Sequence, residues 1–105
     1  MRLSRVLELQ EESRESDGAG GVRTGWRTLG RVWADVRAGS AREVAGVETV
    51  APAVSLKITV RAAPFGAPSR PVAGQRFREG ERVFSILAVT ERDARYLTCY
   101  AEERA

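Results

Sequence analysis

The chain has 105 residues, 17 of them basic and 14 acidic, and a formal net charge of +3 at pH 7. It has no histidine and a single cysteine, Cys99, which excludes histidine-based catalysis, histidine metal sites, an intrachain disulfide and any CxxC motif. The length predicts one small domain with one core. No apolar run is long enough for a signal sequence or a membrane span, so we expect a soluble protein with no membrane partner.

The first predicted strand lies near the N-terminus. Leu3, Leu7 and Leu9 alternate with polar residues up to about residue 11, a pattern typical of a strand with one buried face. The charged stretch that follows ends in a glycine-rich segment, residues 17–21. Glycine supplies the positive φ angles that tight turns need, so a loose turn is predicted there.

The second predicted strand covers about residues 24–37. One of its faces carries Val32, Ala34 and Val36. The earlier half of the strand is out of phase with that face, so Gly30 is predicted to mark a bulge.

Between the second and third strands lies the one segment with helical character. Ser40-Ala41-Arg42-Glu43 matches a capping box, in which the side chains of the first and last residues each accept a hydrogen bond from the other's backbone amide. Val44 and Val47 follow at helical spacing. We therefore predict a short helix, too weak to be stable alone, within the long connection 38–53.

The remaining strands follow the clearest alternation in the chain. In residues 54–61 four apolar residues alternate with four polar ones, which predicts a strand with one face in solvent. A second long connection, 62–73, contains three of the four prolines. Three further strands are predicted at about residues 75–79, 82–90 and 95–101.

These elements predict a mainly β protein. We expect a small antiparallel β-barrel or sandwich of about six strands, with one short helix and two long loops, in one domain that spans residues 1–105. Large apolar residues are expected to form its core. The expected core residues are Trp33, Val36, Leu56, Ile58, Val60, Phe84, Ile86, Leu97 and Cys99.

Paired carboxylates are the candidates for acid–base chemistry. They occur at residues 11–12, 79–81 and 102–103, in turns or near a chain end, where solvated charge is the default. Cys99 occupies an apolar strand position and has no histidine to activate it, so a buried inert thiol is expected. We therefore expect no enzyme: no catalytic residue, no metal site and no cofactor.

Arginines are numerous, but glutamates are interleaved with most of them. A basic groove with aromatic stacking surfaces would bind nucleic acid. The candidate stacking residues are Trp26, Trp33, Phe77, Tyr96 and Tyr100. The alternative is a solvated face of mixed charge, with aromatic residues in the core, and the interleaved glutamates favour it.

The two long connections contain small residues, proline, valine and arginine, but no catalytic chemistry. Long loops in a compact domain are usually either functional or disordered. This composition suits docking to another protein or packing against copies of the same chain. The alternative is that the two connections are mobile loops without a function.

Several short motifs follow one another along nearly the whole chain. Trp33-Ala34-Asp35-Val36 and Ser40-Ala41-Arg42-Glu43 resemble the W-A-x-V strand and S-G-x-E helix start of the head–tail joining (head-closure, or stopper) proteins of tailed bacteriophages, with Ala41 in place of glycine. Residues 58–61, 80–86 and 97–102 are similar to later strands of that family. The proline-rich segment departs from it. A gene transfer agent, a domesticated phage-like particle, fits the same resemblance.

The resemblance implies a ring of six or twelve identical subunits in the neck of a virion or phage-like particle, assembled in the bacterial cytoplasm. It implies an adaptor protein on the head side, a tail terminator or tail tube on the tail side, and double-stranded DNA passing through the lumen without sequence-specific binding. The connection 38–53 would face the channel and help to retain DNA, and the proline loop would meet an adjacent ring. The residues so assigned are Ser40, Arg42, Glu43, Val44, Val47 and Glu48 for the channel, and Phe65, Arg70 and Pro71 for the ring contact.

Two other functions compete with this one. A free-standing small β-barrel that binds nucleic acid would bind DNA as an isolated monomer, with an affinity that falls steeply with salt. Another ring-forming tail component, such as a terminator or adaptor, would share the assembly but not the position.

Overall fold

The computed structural model describes residues 1–39 and 53–104. The predicted helix lies outside these residues. No helix among the described residues is long and apolar enough to cross a membrane. The described residues form six strands: β1 (Arg5–Ser16), β2 (Val22–Ala38), β3 (Ala53–Arg61), β4 (Arg76–Glu79), β5 (Arg82–Glu91) and β6 (Tyr96–Arg104).

The six strands close into a single barrel. Their order around it is β1-β2-β3-β6-β5-β4, and every neighbouring pair is antiparallel. The pairing of β1 with β4 closes the ring, because Leu9 lies opposite Phe77. The predicted mainly β fold of six antiparallel strands is confirmed, and its form is a barrel.

The third strand lies where its alternation predicted. Ile58 and Val60 of β3 face inward and lie opposite Cys99 and Leu97 of β6. Because successive strand residues point to opposite faces, Ser55 and Lys57 lie in solvent. The predicted pattern fails at two positions, since the polar Thr59 is also buried and the apolar Val54 is 47% exposed.

A bulge shifts the register between β1 and β2. Leu9 pairs with Gly30 while Gln10 pairs with Thr28, so Leu29 is the extra residue. Leu29 packs against the core from this position. The predicted bulge therefore occurs, and it lets β2 keep an apolar contact while changing the phase of its alternation.

Most of the expected core residues are buried. Leu56, Ile58, Val60, Phe84, Ile86, Leu97 and Cys99 are among the buried residues of the core, and Val36 packs against it from a half-buried position. The core also contains residues that were not among the expected core residues: Leu7, Leu9, Ala34, Phe77 and Ala101. Leu7, Leu9 and Ala34 nevertheless lie on the apolar strand faces that the alternation predicted.

The core prediction was wrong for Trp33, whose surface is 57% exposed. Its neighbour Ala34 is fully buried, and the alternation of β2 therefore points Trp33 outward. On the outer face Trp33 lies opposite Val6, which is also exposed. The size of the Trp33 side chain suggested a core residue, but its position in the alternation of β2 places it on the outer face of the barrel.

Candidate functional site

The two long connections leave the barrel at opposite ends. At the turn end, β2 finishes at Ala38, β3 begins at Ala53, and residues 79–82 form the β4–β5 turn. At the loop end, segment 62–75 leads from β3 to β4, and residues 92–95 join β5 to β6. Antiparallel pairing throughout fixes this arrangement. Each end of the subunit can therefore contact a different neighbour.

The connection assigned to the channel joins β2 to β3, which are hydrogen-bonded to each other next to it. Ala38 lies opposite Leu56, and the Gly39 amide donates a hydrogen bond of 2.6 Å to the Ser55 carbonyl oxygen. The six residues expected to face the channel lie outside the described residues, so that assignment stays a prediction. These residues are Ser40, Arg42, Glu43, Val44, Val47 and Glu48.

The proline loop presents an aromatic ring to solvent. Phe65 is 81% exposed, and the guanidinium of Arg70 stacks on its ring, 3.8 Å from the centroid. Only 10% of the Arg70 side chain is exposed, and Nη1 donates to the Ala63 carbonyl oxygen at 2.8 Å. The Phe65 ring is therefore held in place before any partner binds, which lowers the entropy cost of docking.

Backbone hydrogen bonds give this loop a defined shape. The Ala67 amide donates to the Pro64 carbonyl oxygen at 3.1 Å, and the Arg70 amide donates to the Ala67 carbonyl oxygen at 3.0 Å. Pro71 is fully buried. The structure thus places Phe65, Arg70 and Pro71, the three residues assigned to a ring contact, in one ordered segment at the loop end. The assignment is wrong for Pro71, which is buried within its own subunit and cannot touch a neighbouring ring, and Arg70 is mostly covered, so Phe65 is the exposed member of the three.

A network of ion pairs links four strands at the turn end. Arg5 of β1 donates to both carboxylate oxygens of Glu79, at 3.0 and 2.5 Å, and Arg82 donates to both oxygens of Glu103 at 2.8 Å. Arg82 also lies 3.9 Å from Glu79. No local sequence pattern predicts this network, because its members lie up to 74 residues apart.

Replacing Glu79 with glutamine is expected to lower the free energy of unfolding at pH 7 by about 0.5–1 kcal/mol. The hydrogen bonds from Arg5 hold the pKa of Glu79 below its ordinary value of 4.5. Its ionised form therefore stabilises the fold above that pH, and this contribution is lost as the pH falls through the lowered pKa. Urea unfolding of the wild type and of Glu79→Gln at a series of acid pH values should show their difference in free energy of unfolding disappear as the pH falls.

The matched control for Glu79→Gln is Glu81→Gln in the same turn, because Glu81 forms no ion pair among the described residues. We expect the control to unfold like the wild type at every pH. The assigned role of the Arg5–Glu79 pair would be contradicted if both variants lost the same free energy of unfolding. It would also be contradicted if the destabilisation by Glu79→Gln persisted at pH values below the lowered pKa of Glu79.

The groups considered for catalysis have unsuitable environments. Hydrogen bonds from arginine lower the pKa values of Glu79 and Glu103, whereas a general acid at neutral pH needs a raised one. Burial raises the pKa of the Cys99 thiol to about 12, so the reactive thiolate is scarce. Within residues 1–39 and 53–104, no three histidine, cysteine or acidic side chains gather to hold a metal ion.

The surface does not present a continuous basic groove among the described residues. Arg27 pairs with Glu11, and Arg37 lies 3.2 Å from Asp35. Of the aromatic residues considered for stacking on bases, Phe77 is fully buried, and the guanidinium of Arg76 covers Trp26 at 4.2 Å from the ring centroid. This mixed charge favours a solvated face over a groove that binds nucleic acid.

Known proteins share the sequence and the fold of this chain. Residues 1–104 match a family model described as phage head completion protein. A chain in the solved structure described as the virion of a native gene transfer agent (GTA) particle is 52% identical, with a TM-score of 0.84. That match covers 100% of this chain and 97% of the other. No curated protein sequence matches.

Proposed function

Because the chain belongs to the phage head completion protein family, and so is a structural virion component and not an enzyme, we propose that it forms a ring between the head and the tail. The ring closes the DNA-filled head and provides the site of tail attachment. Its position is the neck of a phage or phage-like particle, and its copies assemble in the bacterial cytoplasm. The 52% identity to a chain of a gene transfer agent virion supports a particle of that kind.

The placement of the two long connections at opposite ends of the barrel is the observation that carries this proposal. A connector must contact one protein on the head side and another on the tail side. We assign an adaptor protein to the head side and a tail terminator or tail tube to the tail side. A barrel suits the task, because closed hydrogen bonding keeps its two ends at a fixed separation.

The loop end is proposed to contact an adjacent ring through Phe65. Aromatic residues and arginine dominate the binding energy of protein interfaces when they are held in well-packed positions. Phe65 is exposed and stacked on Arg70, whose own side chain is fixed by the Ala63 carbonyl oxygen. Pro71 anchors the loop in the barrel.

The connection 38–53 is proposed to face the lumen and to help retain packaged DNA. Arg42 lies beside Glu43, and Glu48 follows, so its charges are mixed in sign. Mixed charge suits a channel that must let DNA slide, since a continuous basic surface would hold the phosphates. DNA is thus a passing neighbour of this subunit and not a ligand recognised by sequence.

Deleting the gene from a particle-producing strain tests the proposal. We expect heads without attached tails and heads that have lost DNA, because neither closure nor tail attachment can occur. Electron microscopy would measure tail attachment, and protected-DNA assays would measure DNA retention. The wild-type chain supplied from a plasmid should correct both defects. Tailed, DNA-filled particles at wild-type yield in the deletion strain would contradict the proposed function.

Supplying Phe65→Ala in the deletion strain tests the contact at the loop end. We expect a folded subunit and a reduced yield of joined particles, because the variant loses the exposed aromatic anchor. Leu87→Ala is the matched control, since Leu87 is also exposed but lies on the β5 wall of the barrel. Equal particle yields for the two variants would contradict a docking role for Phe65.

A further inference from the structure

The first two strands extend beyond the barrel as a two-stranded ribbon. Residues 11–16 of β1 pair with residues 22–27 of β2, and none of these twelve residues is buried. At the tip, the Asp17 carboxylate accepts hydrogen bonds from the Ala19 and Gly21 amides at 2.8 and 2.9 Å, so the turn is well formed. We call this ribbon, residues 11–27, the arm, and the edge of β2 that it exposes continues into the barrel as far as residue 33.

Both outer edges of the arm lack a partner strand within the described residues. β4 pairs with β1 only at residues 8–10, and β3 pairs with β2 only at residues 34–38. Along residues 11–16 of β1 and 22–33 of β2, the backbone groups that point away from the arm therefore have no strand partner in residues 1–39 and 53–104. A two-stranded ribbon is at best marginally stable in water, and a long open edge is a template for another strand.

Charge is the main feature that limits which strand could pair with these edges. Natural edge strands are usually short, or carry charged side chains (lysine above all), proline or bulges. Residues 11–16 and 22–33 contain neither lysine nor proline, and the bulge at Leu29 is the one irregularity in their register. Val22, 65% exposed, adds an apolar side chain near the tip. The edge is therefore suited to pairing.

The two edges are opposite in charge. The free edge of β1 carries three glutamates and one arginine, whereas the free edge of β2 carries three arginines and no acidic residue. The register places Glu15 beside Arg23 on one face of the arm, and Glu12 lies on the other face. Within one arm, the acidic strand β1 therefore lies beside the basic strand β2. If a second arm lay alongside in the same direction, its acidic β1 edge would meet the basic β2 edge of the first, and acidic and basic strands would continue to alternate.

We infer that the β1 edge of one arm pairs with the β2 edge of the arm of a second copy of this chain, so that neighbouring subunits share a continuous antiparallel sheet. The contact joins two different edges, and an interface of that kind generates a closed ring when its rotation closes. Main-chain hydrogen bonds provide the affinity, and the opposite charges set the direction. This inference rests on the proposed ring and assigns the surface that builds it.

Charge reversal tests this pairing. The first variant carries Glu12→Arg and Glu15→Arg, and the second carries Arg23→Glu and Arg31→Glu. Each places like charges across every junction of a ring of its own copies. Supplied alone in the deletion strain, each is expected to lower the yield of joined particles at least about tenfold, equivalent to about 1.4 kcal/mol. Supplied together, they are expected to restore the yield, because every junction in an alternating ring is again complementary.

A chain with all four substitutions is the matched control. Both of its edges are reversed, so it is complementary to itself and also regains opposite charges within its own arm. We expect it to assemble alone at near wild-type yield. Normal yields from each two-site variant alone would overturn the arm pairing, and so would a mixture that fails although the four-site chain is folded by circular dichroism. The proposed function fails separately, if the deletion strain itself makes normal particles.

Hydrogen exchange on the wild-type protein tests the pairing without substitutions. Peptides that cover residues 22–33 should exchange more slowly in assembled particles than in the isolated chain, because their amides gain main-chain partners. Unchanged exchange over this segment in particles would overturn the shared sheet. Residues 56–60, paired on both sides within the barrel, provide the internal reference.

Discussion

Replacing Phe77 with alanine is expected to lower the free energy of unfolding by about 3–5 kcal/mol, a large fraction of the stability of a domain this small. Phe77 is fully buried and lies directly opposite Phe84, which is also fully buried. It faces Leu9 on its other side, at the junction that closes the barrel. The variant leaves a cavity at that junction, and the strands that line it cannot collapse without breaking the closure.

Trp33→Ala is the matched control for Phe77→Ala. Both variants remove an aromatic ring from a strand, but Trp33 is 57% exposed on the outer face. We expect its free energy of unfolding to change by less than about 1 kcal/mol, as for most surface positions. Urea unfolding followed by circular dichroism measures both. If Trp33→Ala lowered the free energy of unfolding as much as Phe77→Ala does, Trp33 would not lie on the outer face.

Deleting residues 42–49 is expected to leave a folded subunit but to abolish normal particles. The ladder of β2 and β3 persists to Ala38 opposite Leu56 and to the Gly39–Ser55 hydrogen bond, so the barrel does not depend on a long connection at this point. Particles built with the variant should lose DNA or fail to join tails, because five of the six proposed channel-facing residues are absent. Thermal unfolding and protected-DNA assays separate the two effects.

A chain in which residues 42–49 are replaced by glycine and serine provides the control for that deletion. It keeps the length of the connection and removes its side chains. We expect it to fail as the deletion does, if these side chains act in the channel. Full DNA retention by both variants would rule out the proposed role of the connection.

The sequence predicted the strands whose alternation is uninterrupted. In β3, inward Ile58 and Val60 alternate with polar residues, and the structure pairs them with Cys99 and Leu97 as a barrel requires. The bulge near Gly30 was also predicted, since a change of phase within one strand is visible in the sequence. Periodicity reports which residues share a face, and here that was enough for the fold class.

Features set by contacts between distant segments could not be predicted in this way. The Arg5–Glu79 pair joins residues 74 positions apart, and the order of the proline loop depends on Arg70 reaching the Ala63 carbonyl oxygen. The turn at residues 17–21 and the β2 side of the arm from residue 24 were predicted, but the β1 side beyond residue 11 was missed. That part of β1 lacks an apolar face and therefore lacks the alternation that marks a buried strand. Trp33 was placed in the core on size, against the phase of its own strand.

A reconstruction of the assembled particle by electron microscopy would show directly where this subunit lies. We expect density for this six-stranded barrel as a closed ring of identical copies at the junction of head and tail, with the two ends of each barrel contacting different proteins. Barrels found as isolated copies, or in the head shell or the distal tail and absent from the junction, would contradict the proposed function.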